Sequence, residues 1–115
     1  MSETLGQKQR RFFKDVARLI DKLHELGYEG SWGDAYRDPR AFGKLGQKMA
    51  YGNAMSCHKV RLAIDINLYK DGVFLTTTED HRKLGEWWES QGPDHCWGGR
   101  FEDGNHYSIT HEGIK

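Results

Sequence analysis

The 115-residue sequence has few of the features that staple, break or embed a chain: two cysteines, two prolines and no long apolar run. No stretch approaches the roughly 20 apolar residues that a membrane span needs, so no membrane partner is expected. The opening Met1-Ser2-Glu3-Thr4 leads into a polar segment without the apolar core of a signal peptide. With no leader, Cys57 and Cys96 are expected to stay thiols, as in a reducing cytosol, rather than pair. An excess of one charge is missing too: Lys plus Arg and Asp plus Glu both number 17. No basic tract stands out beyond Lys8-Gln9-Arg10-Arg11, and that scarcity speaks against nucleic acid as a partner. No Pro/Gly/Ser-rich linker divides the chain, so residues 1–115 are expected to form one monomeric domain. Also absent are a His-Glu-x-x-His helix, a phosphate-binding glycine loop and a dinucleotide fingerprint.

Aromatic residues make up 12% of the chain, enough to fill one core. From Arg10 to Leu26, Phe12, Phe13, Val16, Leu19, Ile20, Leu23 and Leu26 recur at steps of three and four, predicting a helix capped by Gly27. Residues 28–36 read as a loop or short strand. Asp38-Pro39 then looks like an N-cap followed by proline at the first helical position, predicting a short helix from Pro39 to Leu45. Alternation of Val60, Leu62, Ile64, Ile66 and Leu68 with polar neighbours marks a half-buried strand. Asp71-Gly72 signals a hairpin into Val73-Phe74-Leu75. Thr76 with Glu79 resembles a capping box opening a third helix that carries Leu84, Trp87 and Trp88. Residues 91–105 are glycine-rich and read as irregular, and residues 107–110 as a last strand. Helices before and between antiparallel strands predict an α+β fold.

Of the six histidines, two stand in a defined spacing with a carboxylate: His58, seven residues before Asp65, and His106, three after Asp103. Histidine nitrogen and carboxylate oxygen are zinc-ligand types, and a catalytic zinc keeps three protein ligands. Asp65 could equally be a solvent-facing strand residue.

These segments resemble the zinc D-alanyl-D-alanine carboxypeptidases (VanY type) and the related phage endolysin L-alanyl-D-glutamate peptidases of the LAS group, which cut the stem peptides of bacterial peptidoglycan. That family has Ser-x-His-(six residues)-Asp, matched from Ser56 to Asp65, and later acidic-x-x-His, matched by Asp103-Gly104-Asn105-His106. An aromatic-Gly-Gly run precedes the second motif, as Trp97-Gly98-Gly99 does here, and Tyr36-Arg37-Asp38-Pro39 looks like the family's Tyr-Arg-x-Pro. The resemblance implies a small antiparallel sheet with helices packed against it and one zinc ion in a groove on the sheet, the arrangement of Hedgehog and D-Ala-D-Ala peptidase folds. It implies His58, Asp65 and His106 as metal ligands, Asp103 as general base and Arg37 as the cation that stabilises developing charge. Ser56 and Trp97 are candidate substrate contacts, Ser56 alternatively capping the His58 loop. Arg37 could instead pair with Asp34 or Asp38.

The implied activity is a peptidoglycan endopeptidase of the endolysin kind. It would be held in the cytoplasm of the host bacterium until lysis and would act on the periplasmic wall. A D-alanyl-D-alanine carboxypeptidase is the alternative. Rivals of other classes are a non-catalytic module with structural zinc on Cys57-His58 and His95-Cys96, a cysteine peptidase, and a metal-free binding domain.

Geometry adds one requirement. His58 and Asp65 have opposite parity, and seven extended residues span about 23 Å, so the chain must bend between Ser56 and about Leu62. The family commonly has glycine three residues after the first histidine, where this chain has Arg61, and often an acidic residue where it has Ser108.

Overall fold

A computed structural model describes residues 3–48 and 56–115. Helix α1, Leu5–Glu25, starts five residues before the apolar periodicity because Thr4 caps it. The Thr4 hydroxyl accepts from the Gln7 amide while the Gln7 side chain accepts from the Thr4 amide, a reciprocal capping box. At the other end Gly27, at φ 89°, donates to His24 and Tyr28 donates to Leu23, closing a Schellman motif. The stripe of Phe12, Val16, Leu19 and Leu23 is buried, each such side chain stabilising by roughly 1.5–3 kcal/mol. Phe13 does not join them. It lies one position off the stripe and is 81% exposed.

Strand β1, Glu29–Trp32, pairs antiparallel with β2, Ala63–Lys70, from Glu29↔Tyr69 to Trp32↔Ile66. Between them, α2 spans Pro39–Phe42, and the Asp38 carboxylate caps it by accepting from the Arg40 amide at 2.8 Å. It stops short of the expected Leu45 because Gly43 turns into the left-handed region at φ 81°. The hairpin forms as expected: Asp71 (φ 52°) and Gly72 (φ 78°) are both left-handed, the signature of a type I′ turn, leading into β3, Val73–Leu75.

Helix α3 covers Arg82–Glu89. The capping box before it sits one residue later than expected. The Thr77 hydroxyl accepts from the Asp80 amide and the Asp80 carboxylate accepts from the Thr77 amide, while Glu79 pairs with Arg82 at 2.7 Å. The stretch expected to be irregular contains a further strand, β4, His95–Trp97, followed by a 3₁₀ turn at Gly98–Phe101. Three residues that are all buried give no alternation to read. Strand β5, His106–Ile109, joins β4 to β2, giving the sheet order β1-β2-β5-β4 with β3 also on β2.

The fold is thus α+β, a five-stranded antiparallel sheet with helices packed on it. Cross-strand partners share a face. Ile64 opposite Tyr107, and Tyr107 opposite Trp97, put these three on the helix side with Ile66, Leu68 and Ile109. There Trp88 meets Phe12 and Tyr107 edge-on, and its indole donates to the Ser108 carbonyl. A polar joint ties α1 to β4: buried Asp15 accepts from the ring of buried His95 at 2.9 Å. Asp65, opposite His106, faces the other way. No helix among the described residues is long and apolar enough to cross a membrane.

Candidate metal centre

The bend demanded by the spacing of His58 and Asp65 is present. Cys57–Val60 forms a 3₁₀ turn, and β2 begins only at Ala63 instead of Val60. Ser56 opens the turn with its hydroxyl accepting from the His58 amide at 3.2 Å, and Arg61 closes it in the left-handed region at φ 59°, ψ 36°. That backbone is the one glycine adopts most cheaply, so the glycine-to-arginine departure falls where it costs something. The Arg61 guanidinium lies 4.1 Å from the centre of the Tyr36 ring, a cation–π contact that offsets part of the strain.

The turn brings His58 Nε2 to 3.1 Å from Asp65 Oδ1 and 3.2 Å from His106 Nδ1, with His106 Nδ1 3.6 Å from Asp65 Oδ1. His58 and His106 are buried and Asp65 nearly so. Two ligands about 2.0–2.1 Å from one tetrahedral ion stand about 3.3 Å apart, so this donor set fits a single small cation. Tautomer chemistry agrees. His58 Nδ1 lies 2.6 Å from the Ala35 carbonyl, which can only accept, so Nδ1 carries the proton and Nε2 turns a lone pair toward the cluster. His106 Nε2 is buried with no hydrogen-bond partner among the described residues. Burial would raise the Asp65 carboxyl, but the adjoining His106 and His58 rings outweigh it and hold it at about 2. It is therefore a carboxylate throughout the physiological range.

Asp103 stands beside this cluster with Oδ2 4.0 Å from His106 Nδ1 and its side chain half exposed. Partial burial and the Asp65 charge push its carboxyl up, against the pull of His106, His58 and Arg37. The loop that presents it explains the Gly-Gly pair: a Cβ on Gly98 would meet the Asp103 carbonyl at 2.1 Å, and one on Gly99 would enter the Trp97 ring.

Arg37 reaches the site from the loop after β1. Its Nη1 donates to the Ser56 hydroxyl at 3.2 Å, its Nε lies 3.7 Å from Asp34, and its backbone amide donates to the His58 carbonyl. Of the alternatives for Ser56, the structure shows the cap: the hydroxyl is buried and holds His58 and Arg37 in place. Trp97 is corrected. It is 3% exposed on the helix side, packed between Gly85 and Gly99 with its indole donating to the Gly104 carbonyl, and offers no face to a substrate. Ser108, fully buried, does not stand in for an acidic residue.

Sequence reading missed the grip of residues 33–35. Gly33 donates to the Asp65 carbonyl, Asp34 accepts from the Asp65 amide, and Ala35 orients His58. Backbone groups carry no residue signature. Only Gly33 gives a hint, since its Cβ would sit 2.9 Å from that of Asp65.

The rival sites do not assemble. Cys57 is buried, donates weakly to the Ile109 and Ile114 carbonyls, and is pushed up to about 12 by burial, so it is no nucleophile. Burial raises Cys96 as well, and both are free thiols. His95 is committed to Asp15.

A model of the M15 peptidases, described as D-alanyl-D-alanine carboxypeptidase, matches residues 50–109. That is more than half of the 115 residues and takes in His58, Asp65, Asp103 and His106. The chain belongs to this family. No curated protein matches it. As an M15 peptidase it falls among metallopeptidases that act on peptidoglycan, and the clustered residues lie within the matched stretch, whereas Arg37 and α1 lie before it.

Proposed function

We propose that this M15 peptidase is a zinc-dependent endopeptidase of the endolysin kind that cuts the L-alanyl-D-glutamate bond of peptidoglycan stem peptides. The observation that carries the reading is the convergence of three donor atoms on one point with a half-exposed carboxylate beside them. His58 Nε2, Asp65 Oδ1 and His106 Nδ1 would hold one zinc ion. Bound zinc supplies a Lewis acid for the scissile carbonyl and lowers the pKa of water to about 7.

The remaining work falls to the chain. Asp103, on an exposed loop, takes the proton of the attacking water at its carboxylate and passes it to the leaving amine. Arg37 faces the charge that develops on the carbonyl oxygen, while its bond to Ser56 holds the His58 turn. Asp65 remains a carboxylate, and the Ala35 carbonyl keeps His58 in one tautomer.

The test is digestion of purified peptidoglycan by zinc-loaded protein, with mass analysis of the products. Freed stem peptides beginning with D-glutamate support the endopeptidase. Loss of one terminal D-alanine shows the alternative carboxypeptidase, and an unchanged wall overturns both. We further propose that the protein is stored in the host cytoplasm before lysis, which fractionation of expressing cells would check.

A further inference from the structure

A groove of about 230 Å³ adjoins Asp103 and runs to the loop between β3 and α3. Its walls include Asn67, Asn105, Thr76, Thr78 and Glu102. Ligand pockets for drug-sized molecules begin at roughly 300 Å³, so this one has room for a residue or two of an extended substrate.

Three independent features of the groove point to its occupant. Asn67 lies on β2 two residues beyond Asp65, hence on the same face of the sheet, and Asn105 directly precedes His106. Both are half-buried, and among the described residues neither side-chain amide makes a hydrogen bond, so both amides stay available to a ligand in the groove. A carboxamide offers one acceptor and two donors, the complement of a peptide group. Second, the two loops are built to enclose the groove: a Cβ on Gly104 would meet Thr78 Cα at 2.6 Å, so the Asp103 loop packs directly on residues 76–78. Third, the charged lining is of one sign. Glu102 and Asp103 carry it, no lysine or arginine among the described residues lines the groove, and burial drives His81 down to about 4, so it is neutral. Glu102 is held at φ 58°, an unfavourable backbone for a non-glycine residue, at the mouth of this space.

We propose that this groove seats the amine-bearing (diamino) residue of the stem peptide, with Asn67 and Asn105 on its peptide groups and Glu102 facing its ammonium. This rests on the stem-peptide reading above and deepens it. Because Asp103 protonates the leaving amine, a groove that continues from Asp103 lies on the leaving side, where an L-alanyl-D-glutamate cut places the diamino residue. Asn67 and Glu102 are then specificity residues, distinct from the ligands and the base.

The test uses two synthetic stem peptides, one with the diamino side chain free and one with it N-acetylated. Binding to the full chain is followed by amide chemical shifts, and cleavage of the same pair by zinc-loaded protein is followed in parallel. The free-amine peptide is expected to shift the resonances of Asn67, Thr78 and Glu102 and to bind at least 10-fold tighter than the acetylated one. Glu102→Gln should abolish that preference by lowering affinity for the free-amine peptide at least 10-fold, and Asn67→Ala should raise KM for both peptides with little change in kcat. Equal affinity for the two peptides, or shifts that avoid the groove, would overturn the proposal. Selective binding without cleavage would uphold the groove and refute the peptidase reading; cleavage of both at one rate would do the reverse.

Discussion

Gly33 and Asp65 are in contact through backbone and side chain at once: the Gly33 amide donates to the Asp65 carbonyl at 2.8 Å, and a Cβ on Gly33 would lie 2.9 Å from that of Asp65. A methyl group there forces the Gly33 and Asp65 backbones apart, which draws the carboxylate away from the two imidazoles if β2 gives way. Gly33→Ala is expected to weaken zinc binding about 10–100-fold, the range seen when groups that support metal ligands are lost, with the fold retained. Competition titration against a chromogenic chelator reads it, and unchanged affinity would show that Asp65 is not a ligand.

Asp103 is the half-exposed neighbour of the cluster. Asp103→Asn should cut kcat by about 10²–10⁴-fold, the usual worth of a positioned general base, while zinc affinity changes little. A matching loss of zinc would reassign Asp103 to the ligand set.

Arg61 pits strain against stacking. A left-handed backbone costs a non-glycine residue roughly 1–2 kcal/mol, and an exposed cation–π contact returns about 0.5–1 kcal/mol. Arg61→Ala keeps the strain and loses the Tyr36 contact, so it should be the least stable of the three. Arg61→Gly should exceed it by about 1 kcal/mol in urea unfolding. Alanine matching glycine would mean the turn relaxes out of φ 59°.

Burial drives His81, whose ring meets the Tyr107 hydroxyl at 2.8 Å, down to about 4. Its unfolded value is near 6.5, so between these values the unfolded chain binds the extra proton and stability falls as pH is lowered. The contribution is complete above about pH 6.5 and amounts to on the order of 2–3 kcal/mol lost by pH 4. His81→Gln should flatten the unfolding free energy across this window. A slope identical to that of the wild type would locate the acid sensitivity elsewhere.

Gly85 sits inside α3 where a Cβ would be 2.0 Å from the Trp97 ring. Alanine is normally the better helix former, by about 1 kcal/mol, yet Gly85→Ala should here lower stability by about 1–3 kcal/mol through overpacking. A raised melting temperature would show that Trp97 can move aside.

Much of this was legible in the sequence because it was written in side chains. The α1 stripe, the Asp71-Gly72 turn, the alternation through Ile64 and Ile66, and the order of the His58, Asp65, Asp103 and His106 motifs all depend on residue type. The bend before β2 followed from arithmetic, since no straight strand joins His58 to Asp65. What escaped was carried by main chain or by shortness: the Ala35 carbonyl, the amides of residues 33–34, and the three-residue β4. Trp97 was misplaced for a related reason, because its neighbours Gly98 and Gly99 suggested an open loop, when Gly99, with Gly85, leaves the space its ring occupies and Gly98 leaves room for the Asp103 carbonyl.

The buried Asp15–His95 pair has a consequence for how little of this molecule could stand by itself. The match to the family begins at residue 50, yet α1 supplies Phe12, Val16, Leu19 and Leu23 to the sheet's inner face and fastens itself to β4 through that pair. Residues 50–109 hold the three clustered donors and Asp103 but lack the helix that covers their inner face. Transplanted without α1, they would present Ile64, Ile66 and Trp88 to water, so any minimal catalytic unit cut from this chain has to include its first helix.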